Sequence, residues 1–255
     1  MVTGSRPRTA VITGAASERG IGRSLAQRLA AHGWNLGLSD LDERGCRDVA
    51  ETLGREHGIV AIGVGADITR EDEVDAAISA LEESLPPIQA LVNIAGVADP
   101  TPFLELSLDR WRRTLDVNAT GTFIVTQRVL PGMLSRGYGR IVSMSSTAAQ
   151  NGGGTYSKAA YAASKAAIEG MTRAVALEFA KFGVTANIVA PAIIDTDIMG
   201  GAIDGDRAGA FIRQLPVGRL GKTSEVAALI EFLIGEESGY ITGSTFNING
   251  GIRIG

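Results

Sequence analysis

The regular alternation of short apolar runs with longer segments of helical period most constrains the fold of this 255-residue chain. Short runs rich in apolar and β-branched residues are typical of strands, whereas apolar residues three and four apart are typical of helices. The pattern predicts strands at residues 9–13, 35–39, 60–65, 90–94, 140–145, 185–189 and 245–248. It predicts helices between them at residues 21–32, 43–56, 71–85, 107–134, 156–182 and 224–234.

Strands that alternate with helices form βαβ units, whose parallel strands lie in a sheet covered by helices on both faces. We therefore predict an α/β fold, a doubly wound, Rossmann-like sandwich of three layers around a mainly parallel, seven-stranded sheet. Neither a linker nor an internal repeat divides the sequence, which favours one domain over residues 1–255. The rhythm breaks at residues 197–215, where we expect a lid over a binding site.

Charge and composition argue against several classes of function. A net charge of −4 and a pI near 5.3 disfavour nucleic acid as the main partner, because no basic stripe is available to neutralise phosphates. The single cysteine, Cys46, cannot form an internal disulfide, and no apolar run approaches the roughly 20 residues that span a bilayer. Residues 1–8 lack the apolar core of a signal peptide. We expect a cytoplasmic protein without membrane or nucleic-acid partners, and we predict no metal site.

The segment TGAASERGIG at residues 13–22 joins the first predicted strand to the first predicted helix. Glycines at such a turn let the backbone approach a pyrophosphate, whose negative charge the N-terminus of the helix favours. A tight strand-to-helix connection without a ligand is the alternative. The candidate phosphate-binding residues are Gly14, Ser17, Arg19, Gly20, Ile21 and Gly22.

Asp40 ends the second predicted strand, about 20 residues after the glycine turn, where a carboxylate binds the adenosine ribose of a dinucleotide. Asp42 is the alternative if the register differs. A carboxylate there repels a 2′-phosphate, which predicts NAD as the cofactor. Arg19 favours NADP instead, because a basic residue beside Gly20 could pair with that phosphate. We therefore favour NAD and keep NADP as possible.

Tyr161 and Lys165 lie four residues apart in an Ala-rich segment, so they share one face of the predicted helix. A nearby ammonium favours the phenolate and predicts a pKa for Tyr161 below its usual value of about 10. Such a phenol can act as a general acid or base. An ordinary helix with surface charges is the alternative, since this spacing alone is weak evidence.

Together these residues resemble the short-chain dehydrogenase/reductase family in its compact form, from Thr13 to Gly251. The resemblance implies a catalytic set of Asn118, in the segment LDVN, with Ser146, Tyr161 and Lys165. Ser145 is the alternative to Ser146, and a local backbone kink is the alternative role for Asn118. Of the four tyrosines, only Tyr161 has a lysine four residues later.

The resemblance also implies further cofactor-binding residues. These are Asp67, Ile68, Asn93, Ala95, Gly96, Pro191, Ile194 and Thr196, besides Tyr161 and Lys165. The alternative role for Asp67 is helix capping. The sequence departs from the family pattern in the two extra turn residues Glu18 and Arg19, in Ile94 and Ala192, and in a longer spacing between Ser146 and Tyr161.

These features predict an oxidoreductase that transfers a hydride between a nicotinamide cofactor and a small-molecule secondary alcohol or ketone. An NADPH-dependent 3-oxoacyl-carrier reductase is one alternative. A non-catalytic dinucleotide-sensing regulator is another, although it would not need all four catalytic residues. We expect residues 98–101, 150–155 and 197–215 to form the substrate pocket with Ile193. The resemblance further implies a homotetramer.

Overall fold

One sheet of seven strands organises the computed structural model, which describes residues 8–201, 203 and 205–254. The strands are β1 Thr9–Thr13, β2 Asn35–Asp40, β3 Ala61–Gly65, β4 Ala90–Asn93, β5 Gly139–Met144, β6 Val184–Pro191 and β7 Thr245–Ile248. Their order across the sheet is β3-β2-β1-β4-β5-β6-β7, and every neighbouring pair is parallel. The predicted α/β sandwich is confirmed, with a sheet that is parallel throughout.

Helices cover both faces of this sheet. They are α1 Ile21–Ala31, α2 Glu43–His57, α3 Glu71–Ser84, α4 Leu108–Leu115, α5 Gly121–Arg136, α6 Ala148–Asn151, α7 Ala159–Phe179, α8 Gly205–Ile212 and α9 Thr223–Ile234. Apolar residues of α1, α2 and α9 form one core, and those of α3 and α5 form the other together with Ala176 of α7. Alternate strand residues serve the two cores, as Ile12 and Val11 do on β1. None of the described helices is long and apolar enough to cross a membrane.

The long helix predicted at residues 107–134 is wrong as a single α-helix. A π-helical turn at Asp116–Thr120 separates α4 from α5. Within it, the Asn118 carbonyl accepts a hydrogen bond from Thr122 Oγ1 at 2.6 Å, and the Asn118 side chain bonds the backbone of Val97. Because this side-chain anchor lies 21 residues away, the apolar spacing of the helix does not show it.

A further predicted helix has different bounds in the structure. The helix predicted at residues 156–182 begins later, at Ala159, and its last three residues form a 3₁₀ turn. The segment predicted as a lid contains a 3₁₀ turn at Asp197–Met199 followed by α8. Residues 202 and 204 of that segment, like residues 1–7 and 255, lie outside the described part of the chain.

Candidate active site

A cleft of about 920 Å³ lies at the carboxyl ends of the strands. The strand order reverses at β1, because β2 and β3 lie on one side of it and β4 to β7 lie on the other. Open α/β sheets bind ligands at this position. The predicted residues that line the cleft are Gly14, Ser17, Gly20, Ile21, Asp40, Asp67, Ile68, Ala95, Gly96, Ser146, Tyr161, Lys165, Pro191, Ile194 and Thr196. Arg19, Gly22, Asn93 and Asn118 lie outside its lining.

The glycine turn between β1 and α1 leaves room for a phosphate group. Gly14 has a φ of +73°, and a Cβ atom there would lie 2.8 Å from the Ala95 nitrogen. Gly20 is the N-cap residue of α1, and no N-cap side chain accepts a hydrogen bond from the first backbone amides of the helix. The first turn of the helix holds no acidic residue. The free amides of this helix terminus therefore fit a pyrophosphate.

Asp40 places a carboxylate on the cleft at the end of β2. Its Oδ2 accepts from the Ala16 amide at 3.1 Å, which ties the carboxylate to the glycine turn. Asp42, the alternative, caps α2 instead by accepting from the Gly45 amide at 2.9 Å, and it does not line the cleft. Of the two carboxylates, Asp40 is therefore the one that lines the cleft.

Arg19, predicted as a cofactor ligand, is not among the residues that line the cleft. Its guanidinium forms ion pairs with Asp195 and, at 3.4 Å, with Asp197. Ser17 Oγ donates to Asp197 Oδ2 at 3.0 Å, and Asp195 also accepts from the Ile203 amide at 3.1 Å. We call this set of four residues, Ser17, Arg19, Asp195 and Asp197, the turn–lid contact. It joins the glycine turn to the segment predicted as a lid.

Tyr161 and Lys165 share one face of α7, and both are buried, with 9% and 3% of their surface exposed. The Lys165 Nζ atom lies 5.7 Å from the centroid of the Tyr161 ring and donates to the Met144 carbonyl at 2.8 Å. Ser146 follows β5, donates to the Pro191 carbonyl at 3.5 Å, and lies close enough to the Tyr161 phenol for its side chain to lower the pKa of that phenol. The three residues thereby place a hydroxyl, a phenol and an ammonium beside the cleft.

Burial controls the protonation of this pair. It raises the pKa of Tyr161 above its usual value, and the Ser146 side chain opposes this shift only in part. It lowers the pKa of Lys165 to about 8. The prediction that Lys165 depresses the Tyr161 pKa is therefore wrong for this arrangement, because burial outweighs the influence of an ammonium that is bonded to Met144. At neutral pH, Tyr161 is a neutral phenol that can donate its proton.

The two consecutive serines after β5 have different surroundings. Ser145 is buried, and its Oγ donates to Glu169 Oε1 at 3.0 Å and to the Lys165 carbonyl at 3.3 Å. Ser146 Oγ accepts from the Ala148 amide at 3.2 Å and lies close to the Tyr161 side chain. Of the two serines, Ser146 is the one beside the phenol, whereas Ser145 connects β5 to α7.

Asn118 is fully buried, and its side chain is bonded entirely within the protein. Its Oδ1 accepts from the Val97 amide at 2.8 Å, and its Nδ2 donates to the Val97 carbonyl and to Ser164 Oγ, both at 2.9 Å. Both amide protons are used, so they cannot also hold a water molecule beside Lys165. A Cβ atom at Gly96 would lie 2.9 Å from Asn118 Oδ1, which explains glycine there.

Asn93 and Asp67 have structural contacts. Asn93 is buried at the end of β4 and donates to Thr126 Oγ1 at 3.0 Å, so it anchors the sheet to α5. Asp67 lines the cleft, and its Oδ1 also accepts from the amide and the hydroxyl of Thr69, at 2.9 and 2.8 Å. Asp67 thus forms a local turn with Thr69 beside the cleft and does not cap α3, whose N-cap residue is Arg70.

Comparison with known proteins gives the family. The family model described as enoyl-(acyl carrier protein) reductase matches residues 14–253. The chain is 35% identical to an uncharacterised short-chain type dehydrogenase/reductase of Sinorhizobium fredii, over 97% of this chain and 98% of that protein. The chain belongs to the short-chain dehydrogenase/reductase family.

Further relatives of this short-chain dehydrogenase/reductase are 3-oxoacyl-[acyl-carrier-protein] reductases. That of Aquifex aeolicus is 35% identical, over 96% of this chain and 97% of its own length. A crystal structure of such a reductase with bound NAD, from Brucella melitensis, has a TM-score of 0.88 and 31% identity, over 98% of this chain and 93% of that chain. The protein is accordingly an oxidoreductase acting on a CH–OH group or the corresponding ketone.

Sequence reasoning missed several residues around the site of this short-chain dehydrogenase/reductase. Ser164 and Val97 hold Asn118, and the Met144 carbonyl holds Lys165. Ser164 lies within the Tyr161–Lys165 segment, three residues after the tyrosine, and this position was the available signal. The cleft is also lined by Tyr156 and Ile252, which lie outside the segments predicted to form the substrate pocket.

Proposed function

We propose that this short-chain dehydrogenase/reductase transfers a hydride between NAD and a secondary alcohol or ketone, with Ser146, Tyr161 and Lys165 beside the reacting carbon. The observation that carries the proposal is that Ser146 and the buried pair Tyr161 and Lys165 line the same cleft as Gly20 and Ile21 at the N-terminus of α1. Because Tyr161 is neutral at physiological pH, it can act as the proton donor when the enzyme reduces a ketone.

In this proposal each residue has a separate task. The Ile21 amide at the N-terminus of α1 would hold the pyrophosphate, and Asp40 the adenosine ribose. A bound nicotinamide supplies the hydride. Ser146 donates a hydrogen bond to the substrate oxygen and stabilises its developing charge. Tyr161 gives that oxygen its proton.

Lys165 and Asn118 support the proton transfer. Lys165 is mostly charged at pH 7, because its pKa is about 8, and its ammonium stabilises the phenolate that remains after the proton has left. Asn118 connects Val97 to Ser164, one residue before Lys165, and so fixes α7 against the loop after β4. We assign it a positioning task in place of a direct proton path.

Replacing Tyr161 with Phe tests the proposal. We expect turnover to fall by about 10²- to 10⁴-fold, because the proton donor is removed while the ring is kept. NADH binding, measured by fluorescence titration, should change little. Tyr156→Phe is the matched control, since Tyr156 also lines the cleft and should retain turnover. Turnover of Tyr161→Phe near that of the wild type would refute the assignment.

A 3-oxoacyl thioester is the second candidate substrate. The 3-oxoacyl reductases among the relatives support it. So does the apolar end of the cleft, where Tyr156, Ile193, Phe211 and Ile252 can contact an acyl chain. Oxidation of NADH or NADPH with a 3-oxoacyl N-acetylcysteamine thioester should exceed that with simple secondary ketones. A preference for short, simple ketones would contradict this candidate.

We further propose that residues 197–215 act as the lid of the site within a single domain. Phe211 and Gln214 reach the cleft from this segment, and the ring of Phe211 lies 5.5 Å from that of Tyr156 between centroids. The turn–lid contact ties the start of the segment to the glycine turn. Both ends of the cleft are therefore connected to the same mobile element in this proposal.

A further inference from the structure

Glu169 is a buried carboxylate to which the proposed mechanism assigns no task. Tyr161, Lys165, Glu169 and Arg173 follow one another at four-residue intervals, so they form a row along one face of α7. Only 7% of the surface of Glu169 is exposed. A buried carboxylate is costly unless hydrogen bonds compensate for its lost hydration. Its partners therefore indicate what it does.

Glu169 bonds one residue at the end of β5 and one on its own helix. Its Oε1 accepts from Ser145 Oγ at 3.0 Å, and its Oε2 accepts from Arg173 Nη1 at 3.3 Å. The same Arg173 nitrogen donates to Thr245 Oγ1 on β7 at 3.3 Å. Ser145 has only one proton to donate, and Glu169 is its nearer and charged acceptor, so this contact is the stronger one.

Ser145 lies between the two residues that contact the reacting pair. The Met144 carbonyl accepts from Lys165 Nζ, and the Ser146 side chain lies close to that of Tyr161. Three consecutive residues at the end of β5 thus each contact a different member of the α7 row. The contact between Ser145 and Glu169 is the one that involves neither Tyr161 nor the Lys165 ammonium.

We propose that Glu169 is a positioning residue for proton transfer, which acts through Ser145 to fix the end of β5 against α7. This contact sets the separation of Ser146 from Tyr161 and of the Met144 carbonyl from Lys165. The proposal rests on the proposed function of those residues. A displacement of about 1 Å in a reacting group can cost about 100-fold in rate, so a contact of this kind affects kcat without touching the substrate.

Glu169→Leu removes the acceptor, and Glu169→Gln keeps an oxygen in the same place. We expect Glu169→Leu to lower kcat by about 10- to 100-fold, with rates normalised to NADH-binding sites and with the KM for NADH nearly unchanged. Glu169→Gln should retain most of the wild-type kcat. Arg173→Leu is the matched control, because it removes the ion pair and leaves the Ser145 contact.

Ser145→Ala keeps the proposal testable if Glu169→Leu does not fold. It should lower kcat as Glu169→Leu does, and the double variant should lose no more than either single variant. A kcat near that of the wild type in Ser145→Ala would overturn the proposal. So would additive losses in the double variant, or an equal loss in Arg173→Leu. Failure of the proposed function is a separate result, visible as turnover by Tyr161→Phe.

Discussion

At the scale of single residues, burial determines the charge of the reacting pair. Desolvation disfavours the charged form of any group, so it raises the pKa of the Tyr161 phenol and lowers that of the Lys165 ammonium. The two shifts move the two pKa values apart, with that of Tyr161 above its usual value of 10.0 and that of Lys165 at about 8. A proton can then leave the phenol without creating an isolated buried charge, because Lys165 is still protonated below about pH 8.

The lowered pKa of Lys165 predicts how stability depends on pH. Between about pH 8 and the usual value of 10.5, Lys165 is deprotonated in the folded protein and protonated in the unfolded chain. Because the unfolded state binds more protons in this window, the contribution of Lys165 to the free energy of unfolding rises with pH. Urea denaturation of the wild type and of Lys165→Met at pH 7, 8, 9 and 10 measures it. Above pH 8, we expect the free energy of unfolding of the wild type to rise relative to that of the variant. A difference in this free energy that stays constant with pH would contradict the lowered pKa of Lys165.

The carboxylate of Asp40 predicts the choice of cofactor. A 2′-phosphate beside it would place like charges together, at a cost of several kcal/mol. Asp40→Ala should therefore raise the ratio of kcat/KM for NADPH to that for NADH by about 100-fold. Asp42→Asn is the control, because Asp42 caps α2 and does not line the cleft. A wild-type preference for NADPH would refute the role of Asp40.

At the scale of elements, the turn–lid contact predicts the effect of Arg19. Arg19→Gln should make residues 197–215 more susceptible to limited proteolysis, because both aspartates lose their cation. The melting temperature should change little, since these ion pairs are partly exposed and such pairs contribute at most about 1 kcal/mol.

Glu18→Gln provides the matched control for Arg19, because it changes the charge of the adjacent residue in the same insertion. It should leave the proteolysis pattern unchanged. The contrary outcome is that Arg19→Gln lowers the affinity for NADPH and leaves the cleavage of residues 197–215 as in the wild type. That result would show that Arg19 pairs with the 2′-phosphate of NADPH, the alternative given by the sequence.

The central strands were predictable because they are buried on both faces and therefore read as nearly continuous apolar runs, as residues 9–13 do. Tyr161 and Lys165 were visible because their spacing matches one helix face. The π turn was not, because Asn118 obtains its partners from Val97 and Ser164, which are distant in sequence. The ion pairs of Arg19 and the burial of Tyr161 likewise depend on the assembled tertiary structure.

At the scale of the whole molecule, the homotetramer stays a prediction, and exposed apolar side chains are candidates for its contacts. Leu177 on α7 is 86% exposed and Leu104 is 98% exposed, and exposed apolar groups of this size are typical of interaction surfaces when they lie together. Leu177→Arg should reduce the mass measured by light scattering if the homotetramer implied by the family resemblance uses α7. Val60→Arg, before β3, should leave the mass unchanged. A monomeric wild-type protein would refute the homotetramer.

The π turn between α4 and α5 also marks where this helical segment can change its length. Adding or deleting one residue in a regular α-helix rotates everything beyond it by about 100°, which would turn Val125 and Val129 of α5 out of the core they share with α3. A π turn already contains one residue more than an α turn. A chain that lost one residue from Asp116–Thr120 could therefore keep both helices packed against their partners. It would lose the hydrogen bonds of Asn118 to Val97 and Ser164 and keep the fold.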